Sequence, residues 1–234
     1  MTTLFPPRRV AGVVFDVDGT LLDNMPFHVE AFEAFTAAHG LPSLTPEMRK
    51  WMDGRRNSDI FPRLFDRPMT EAEVAELSQQ KESGYRSLSA GRLTPLAGLL
   101  RLLDGLDAAA VPVALATSAP RENVEHTLRE LDLASRLTVI ARSDEVRHGK
   151  PAPDVFIEAA RKLGVDPAAC VAFEDAPIGV IAAARAGMTV VAVTTSYPAE
   201  VLATTDPPAA LVVTHFDELL DGPGSWLLSG MARG

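Results

Sequence analysis

Val13-Val14-Phe15-Asp16-Val17-Asp18-Gly19-Thr20 is a continuously apolar run that ends in two aspartates and a turn. Apolar runs without alternation belong to strands covered on both faces of a sheet. Similar runs recur along the chain: Val10 to Phe15, Val111 to Ala116, Thr138 to Ala141, Cys170 to Phe173, Thr189 to Val193 and Leu211 to Val213. Helical patterns lie between them at Arg121 to Leu131, Asp154 to Leu163 and Ile178 to Ala186. Alternation of this kind predicts a doubly wound parallel sheet in an α/β, Rossmann-like core.

One stretch, Asn24 to Arg92, breaks the alternation. Phe27, Ala31, Phe35 and Ala38 recur at helical spacing and stop at Gly40. Thr45-Pro46-Glu47 reads as an N-cap followed by proline in the first turn. Thr70-Glu71-Ala72-Glu73 fits a capping box, with Val74, Leu77, Lys81, Tyr85 and Leu88 on one face behind it. The expected division is a catalytic core of residues 1–23 and 93–234 and an all-helical cap of residues 24–92. Ligands of open parallel sheets sit beyond the carboxyl ends of the strands, so an insert placed there hangs over the site as a lid.

Composition narrows the class further. The 234 residues are 47% hydrophobic and 23% charged, as in ordinary globular proteins. A net charge of −9 argues against nucleic acid as a partner, which would require a basic face. The single cysteine, Cys170, excludes an intramolecular disulfide and reads as a small buried hydrophobe. Met1 to Arg9 has no apolar segment of a signal peptide, and no apolar run of about 18 residues spans a membrane. A cytoplasmic monomer is expected. Asp221 to Gly234, rich in glycine and serine, is expected to be loosely held.

Chemistry-bearing residues collect at strand ends. Asp16 and Asp18 share a face if the strand continues, and two carboxylates so close call for a cation. A hard, oxygen-seeking ion such as Mg²⁺ is the natural partner. Glu174-Asp175 follows another buried strand and would meet the same edge, unless Asp175 only caps the next helix. Thr117 and Ser118 end a third strand and either cradle a phosphate at a helix N-terminus or cap that helix. Lys150 sits in a loop stiffened by Pro151 and Pro153, either as a neutralising cation or as a solvated surface lysine.

In this order, Asp16-x-Asp18-Gly-Thr, Thr117-Ser118, Gly149-Lys150-Pro151-x-Pro153-Asp154 and Glu174-Asp175-Ala-Pro-Ile-Gly179 resemble the haloacid dehalogenase superfamily over nearly the full chain. Ala186-Gly187-Met188 fits the same pattern. The resemblance implies that Asp16 is a nucleophile forming an aspartyl-phosphate and that Asp18 is the general acid and base. It also implies that Thr117, Ser118 and Lys150 bind the phosphoryl group. Mg²⁺ would lie between Asp16, the main chain of Asp18 and Asp175, with Glu174 supporting. An acid at position 18 points to ester cleavage, because members that displace halide or cleave phosphonates lack it.

The helical insert resembles the cap of the beta-phosphoglucomutase-like subfamily. By that similarity His28 matches a histidine controlling the acid–base aspartate, with a surface helix position as the plain alternative. Arg55, Arg56 and Asn57 fall where the mutase holds a distal phosphate, and Asn57 takes the place of its arginine. The mutase's cap lysine aligns near Ser87, beside Arg86. These departures favour a phosphatase acting on a small phosphorylated metabolite, such as a sugar phosphate, over a phosphomutase. His39 and His148 are expected at solvated loop positions.

Overall fold

The computed structural model describes residues 10–222. The readings of Met1 to Arg9 and of the tail beyond Gly222 lie outside the described residues. Six parallel strands form one sheet: β1 (Gly12–Phe15), β2 (Val113–Thr117), β3 (Val139–Arg142), β4 (Cys170–Glu174), β5 (Thr189–Val193) and β6 (Leu211–Val213). Their order is β3-β2-β1-β4-β5-β6, with Val14 in register with Ala114 on one side and Ala172 on the other. The chain therefore fills one half of the sheet outward from β1 and then restarts at β4 to fill the other. The expected α/β class and all six strands are present, each shifted by two residues at most.

The continuous apolar runs have a direct cause. Val13 and Phe15 point to one face, where they join Leu115, Phe173, Val193 and Phe216 in a large-residue core. Phe15 stacks on Phe173 with ring centroids 4.8 Å apart, and both meet the edge of Phe216. Such pairs add about 0.5–1.5 kcal/mol each beyond burial. Val14 points to the other face, which is lined by Ala114, Ala116, Ala141 and Ala172. Those small side chains let a helix, α7 (Asp154–Leu163), approach closely through Ala159 and Ala160.

Helices cover both faces. On the large-residue face are α5 (Leu99–Ala108), α6 (Arg121–Glu130) and α10 (Phe216–Asp221). With α7 on the alanine face are α8 (Pro177–Arg185) and α9 (Ala199–Ala203). The sequence reading does not contain α5, α9 or α10. The short α9 and α10 offer too few turns for periodicity to register.

Four helices follow β1: α1 (Met25–Ala38), α2 (Pro46–Met52), α3 (Asn57–Leu64) and α4 (Glu71–Ser89). They bury an apolar cluster of their own, centred on Phe32, Phe35, Ile60 and Phe61. The caps foreseen at Thr45 and Thr70 are both formed, and at Thr70 the hydroxyl accepts from Glu73 while the Glu73 carboxylate receives the Thr70 N–H. Among the described residues no helix is long and apolar enough to cross a membrane.

Candidate active site

The site lies where β1 and β4 adjoin, the point at which strand order reverses and a crevice opens beyond the carboxyl ends. Asp16 follows β1 directly, its N–H held by the carbonyl of Phe173 at 3.0 Å. The backbone then turns, with Thr20 and Leu21 both donating to the Val17 carbonyl. Gly19 sits at φ +79°, and a Cβ there would also collide with the carboxylate of Asp175. Only glycine satisfies both demands.

Lys150 is 2% exposed, so it is no solvated surface residue. Its ammonium lies 2.5 Å from Asp16 Oδ1 and 2.7 Å from Glu174 Oε1. Burial works against its charge, but the two carboxylates more than offset this and raise its pKa. Glu174 turns its other oxygen to the N–H groups of Asp175 and Ala176, each at 2.9 Å. Both of its oxygens are thus engaged in holding the lysine and the turn. Asp175 accepts from Thr20 Oγ1 at 3.2 Å and from the hydroxyl of Ser196. It does not cap α8, whose N-cap is Ala176.

Oxygens of Asp16, Glu174 and Asp175 lie within 4.8 Å of one another, and all three residues are buried. Burial and the neighbouring acids push Asp16 up to about 8, against the downward pull of Lys150. Asp175 is likewise raised well above the usual carboxylate range by burial, Glu174 and Asp16. Three carboxylates face one lysine, and this excess of negative charge on hard oxygen donors suits a divalent cation such as Mg²⁺. Asp16, Asp175 and Glu174 each bring an oxygen within reach of such an ion, with Glu174 also tied to Lys150 and to the turn that follows β4.

The Asp18 carboxylate stands apart from this group. Asn24 Nδ2 donates to its Oδ1 at 2.6 Å, and His28 Nε2 lies 3.6 Å from the same oxygen. Burial would raise Asp18, but His28, Asn24 and Lys81 outweigh it and hold the group below its usual value. The two aspartates of one turn are therefore driven in opposite directions. His28 stacks on Tyr85 at 3.9 Å between centroids, and its Nδ1 faces the Lys81 ammonium at 2.9 Å. An ammonium only donates, so Nδ1 presents its lone pair and Nε2 carries the hydrogen that faces Asp18. His28 is thus an inward residue of the hinge, not a surface one.

Thr117 is buried at the end of β2, where its hydroxyl accepts from the N–H of Ala119 at 3.0 Å. It caps no helix, because the N-cap of α6 is Pro120. Ser118 donates to the Gly54 carbonyl at 2.7 Å and so joins the core to the helical insert. Tyr197 makes a second such link, its hydroxyl donating to Asp53 Oδ2 at 2.7 Å.

Both Arg55 and Asn57 line the cavity between core and insert; Arg56 does not. Arg56 turns to Asp59, 3.2 Å away, and to the carbonyl of Ser143. Arg55 donates to the Trp51 carbonyl at 2.8 Å and lies over the Trp51 ring. Ser87, the position aligned with the mutase's cap lysine, is exposed, while Lys81, six residues earlier on α4, lines the cavity. His39 is exposed and pairs with Gln80, and His148 is exposed beside Asp154.

Several residues escaped the sequence reading. Lys81 falls in the sequence pattern on the apolar face of α4, and Glu82 beside it belongs to no motif. Asn24, Ser196 and Asn123 are polar residues in loops or on a helix of ordinary composition, and only the fold brings them together. Lys81 on an otherwise apolar face was the one available signal.

An α/β core with acids at two adjoining strand ends, a buried lysine and a helical insert above them defines a hydrolase fold class. Residues 13–193 match the haloacid dehalogenase-like hydrolase family, and the chain belongs to it. Its relatives include the fructose-1-phosphate phosphatase YqaB of Escherichia coli (strain K12), 32% identical over 77% of this chain and 95% of that protein. The beta-phosphoglucomutase of Bacillus subtilis (strain 168) is 31% identical over 80% of this chain and 84% of that protein. A solved HAD hydrolase, family IA, variant 3, from Entamoeba histolytica HM-1:IMSS superposes with TM-score 0.82. It covers 96% of this chain and 100% of its own at 24% identity, which speaks for the fold alone.

Proposed function

We propose that the protein is a phosphoric monoester hydrolase that cleaves a small phosphorylated metabolite, a sugar phosphate, through an aspartyl-phosphate on Asp16. The observation that carries this reading is the division of labour between Asp16 and Asp18. One aspartate sits in the acid–lysine cluster, and its neighbour sits in a separate network built from the hinge and cap. Carboxylates whose environments drive them apart are suited to different roles.

In the first step an oxygen of Asp16 attacks phosphorus and the bond to the ester oxygen breaks, while Asp18 gives its proton to that leaving oxygen. Asp18 is held ionised in the free site, and the negative charge of an arriving phosphate raises its affinity for the required proton. In the second step Asp18 takes a proton from water, the water oxygen bonds to phosphorus, and the bond to Asp16 breaks. Lys150 and Thr117 hold the phosphoryl oxygens, with Ser118 fixing the loop. His28 and Asn24 orient Asp18. Glu174 positions Lys150 and the Asp175 turn. Mg²⁺, held by Asp16 and Asp175 with help from the Asp18 main chain, would neutralise phosphoryl charge when bound.

The insert of residues 24–92 acts in this reading as a cap that closes over the substrate and excludes water, through the Ser118–Gly54 and Tyr197–Asp53 links. A panel of phosphorylated metabolites assayed for phosphate release with and without Mg²⁺ tests the proposal. Release from sugar phosphates supports it. Conversion of beta-glucose 1-phosphate to glucose 6-phosphate without release would favour a phosphomutase, the reading that Lys81 on the cap keeps open.

A further inference from the structure

The cavity that Asp16 lines also carries a charge arrangement, shared by cap and core, that bears on the substrate. Glu82, on α4, is 4% exposed and lines the cavity. Its Oε1 accepts from Lys81 at 3.2 Å and from Asn57 at 2.8 Å. Its Oε2 accepts from Lys81 at 3.1 Å and from Asn123 at 2.6 Å. The third hydrogen of Lys81 goes to His28 Nδ1 at 2.9 Å. One buried carboxylate thus engages the cap lysine and both asparagine amides that face the cavity.

Those three groups are what a second phosphate would need at this end of the cavity. With Glu82 in place the ammonium is neutralised and its hydrogens are all used. We propose that Glu82 is a specificity determinant that makes this site select a substrate with a single phosphate and an uncharged remainder. The proposal rests on the hydrolase reading above. A second phosphate would bring its charge beside a buried carboxylate, where like charges repel strongly. An uncharged remainder meets instead the apolar wall of Val29, Phe32, Leu44 and Ile60. Two arginines line the cavity as well. Arg55 is committed to Trp51, and Arg49 is paired with Glu33 at 2.5 Å, although its buried Nε has no partner. Arg49 is the competing site that a test must separate from Glu82.

The test compares kcat/KM for phosphate release from glucose 6-phosphate and from glucose 1,6-bisphosphate, with an aryl phosphate as a reference that carries one phosphate on an uncharged ring. The ratio within one variant cancels any general loss of catalysis. The wild-type chain is expected to favour the monophosphate about tenfold or more. Glu82→Gln should shrink that ratio about tenfold, chiefly through KM for the bisphosphate. Asn57→Arg, which adds a cation and keeps Glu82, should move the ratio in the same direction and serves if the first variant fails to fold. A wild-type preference for the bisphosphate that Arg49→Ala abolishes would overturn the proposal, as would a ratio unmoved by both variants. Absence of release from all three substrates, the aryl phosphate included, would instead overturn the hydrolase reading on which it rests.

Discussion

Gly179 leaves the space that the Glu174 carboxylate fills: a Cβ at position 179 would collide with that carboxylate, both oxygens included. Glu174 cannot swing away freely, because Lys150 and the N–H groups of Asp175 and Ala176 hold both oxygens. The first turn of α8 therefore fixes the lysine that faces Asp16, although Gly179 itself touches no substrate.

Gly179→Ala is expected to lower stability by about 1–3 kcal/mol through overpacking. It should also cut kcat about 100-fold by displacing Lys150. Thermal melts and steady-state phosphate release check this. Full activity in a folded variant would show that Glu174 does not position the lysine.

Asp18→Asn removes the proton donor and leaves Asp16 in place. Release from an alkyl phosphate should fall about 10²–10⁴-fold. The burst of phenol released from an aryl phosphate, which reports the first step alone, should fall much less, because a phenolate leaves without protonation. Equal losses on both substrates would contradict the assignment of Asp18 as acid.

Chelation should abolish phosphate release, and Mg²⁺ should restore it. Among folded variants, Asp175→Asn is expected to require more Mg²⁺ for half-maximal rate than the wild type. Unchanged activity after exhaustive EDTA treatment would refute the cation's part in the site.

The capping box of α4 supplies a pH test of stability that is remote from the chemistry. The Thr70 N–H and hydroxyl and the Arg67 side chain hold Glu73 down to about 2, against an ordinary 4.5. A depressed carboxylate contributes stability above its unfolded value and loses it as pH falls through the folded one. The difference in melting temperature between wild type and Glu73→Gln should be full at pH 6 and shrink between pH 4.5 and 2. A difference that grew on acidification would contradict this.

The sheet and three of the four motif positions were legible because their signals are local. Val13 to Phe15 is apolar on both faces, and Asp16, Thr117 and Glu174 each end a strand. Lys150 was legible only through family resemblance, since nothing in its own segment shows that it is buried. Of the network of Asn24, Lys81, Glu82 and Asn123, only Lys81 left a trace in the sequence, as a charge on an apolar face. Glu82 on α4 and Asn123 on α6 are 41 residues apart in the chain, and only packing of the insert on the core joins them. Arg56 shows the opposite failure: proximity in sequence to Asn57 suggested the cavity, but the helix start at Asn57 turns it towards Asp59.

In the proposed mechanism Asp16 carries the phosphoryl group in turnover. Acid-quenching the Mg²⁺-loaded wild-type protein with excess sugar phosphate and mapping the adduct by mass spectrometry tests it most directly. One phosphoryl group on the peptide containing Asp16, absent from Asp16→Asn along with activity, is the predicted result. A phosphoryl group on another residue, or full Mg²⁺-dependent release by Asp16→Asn, would contradict it.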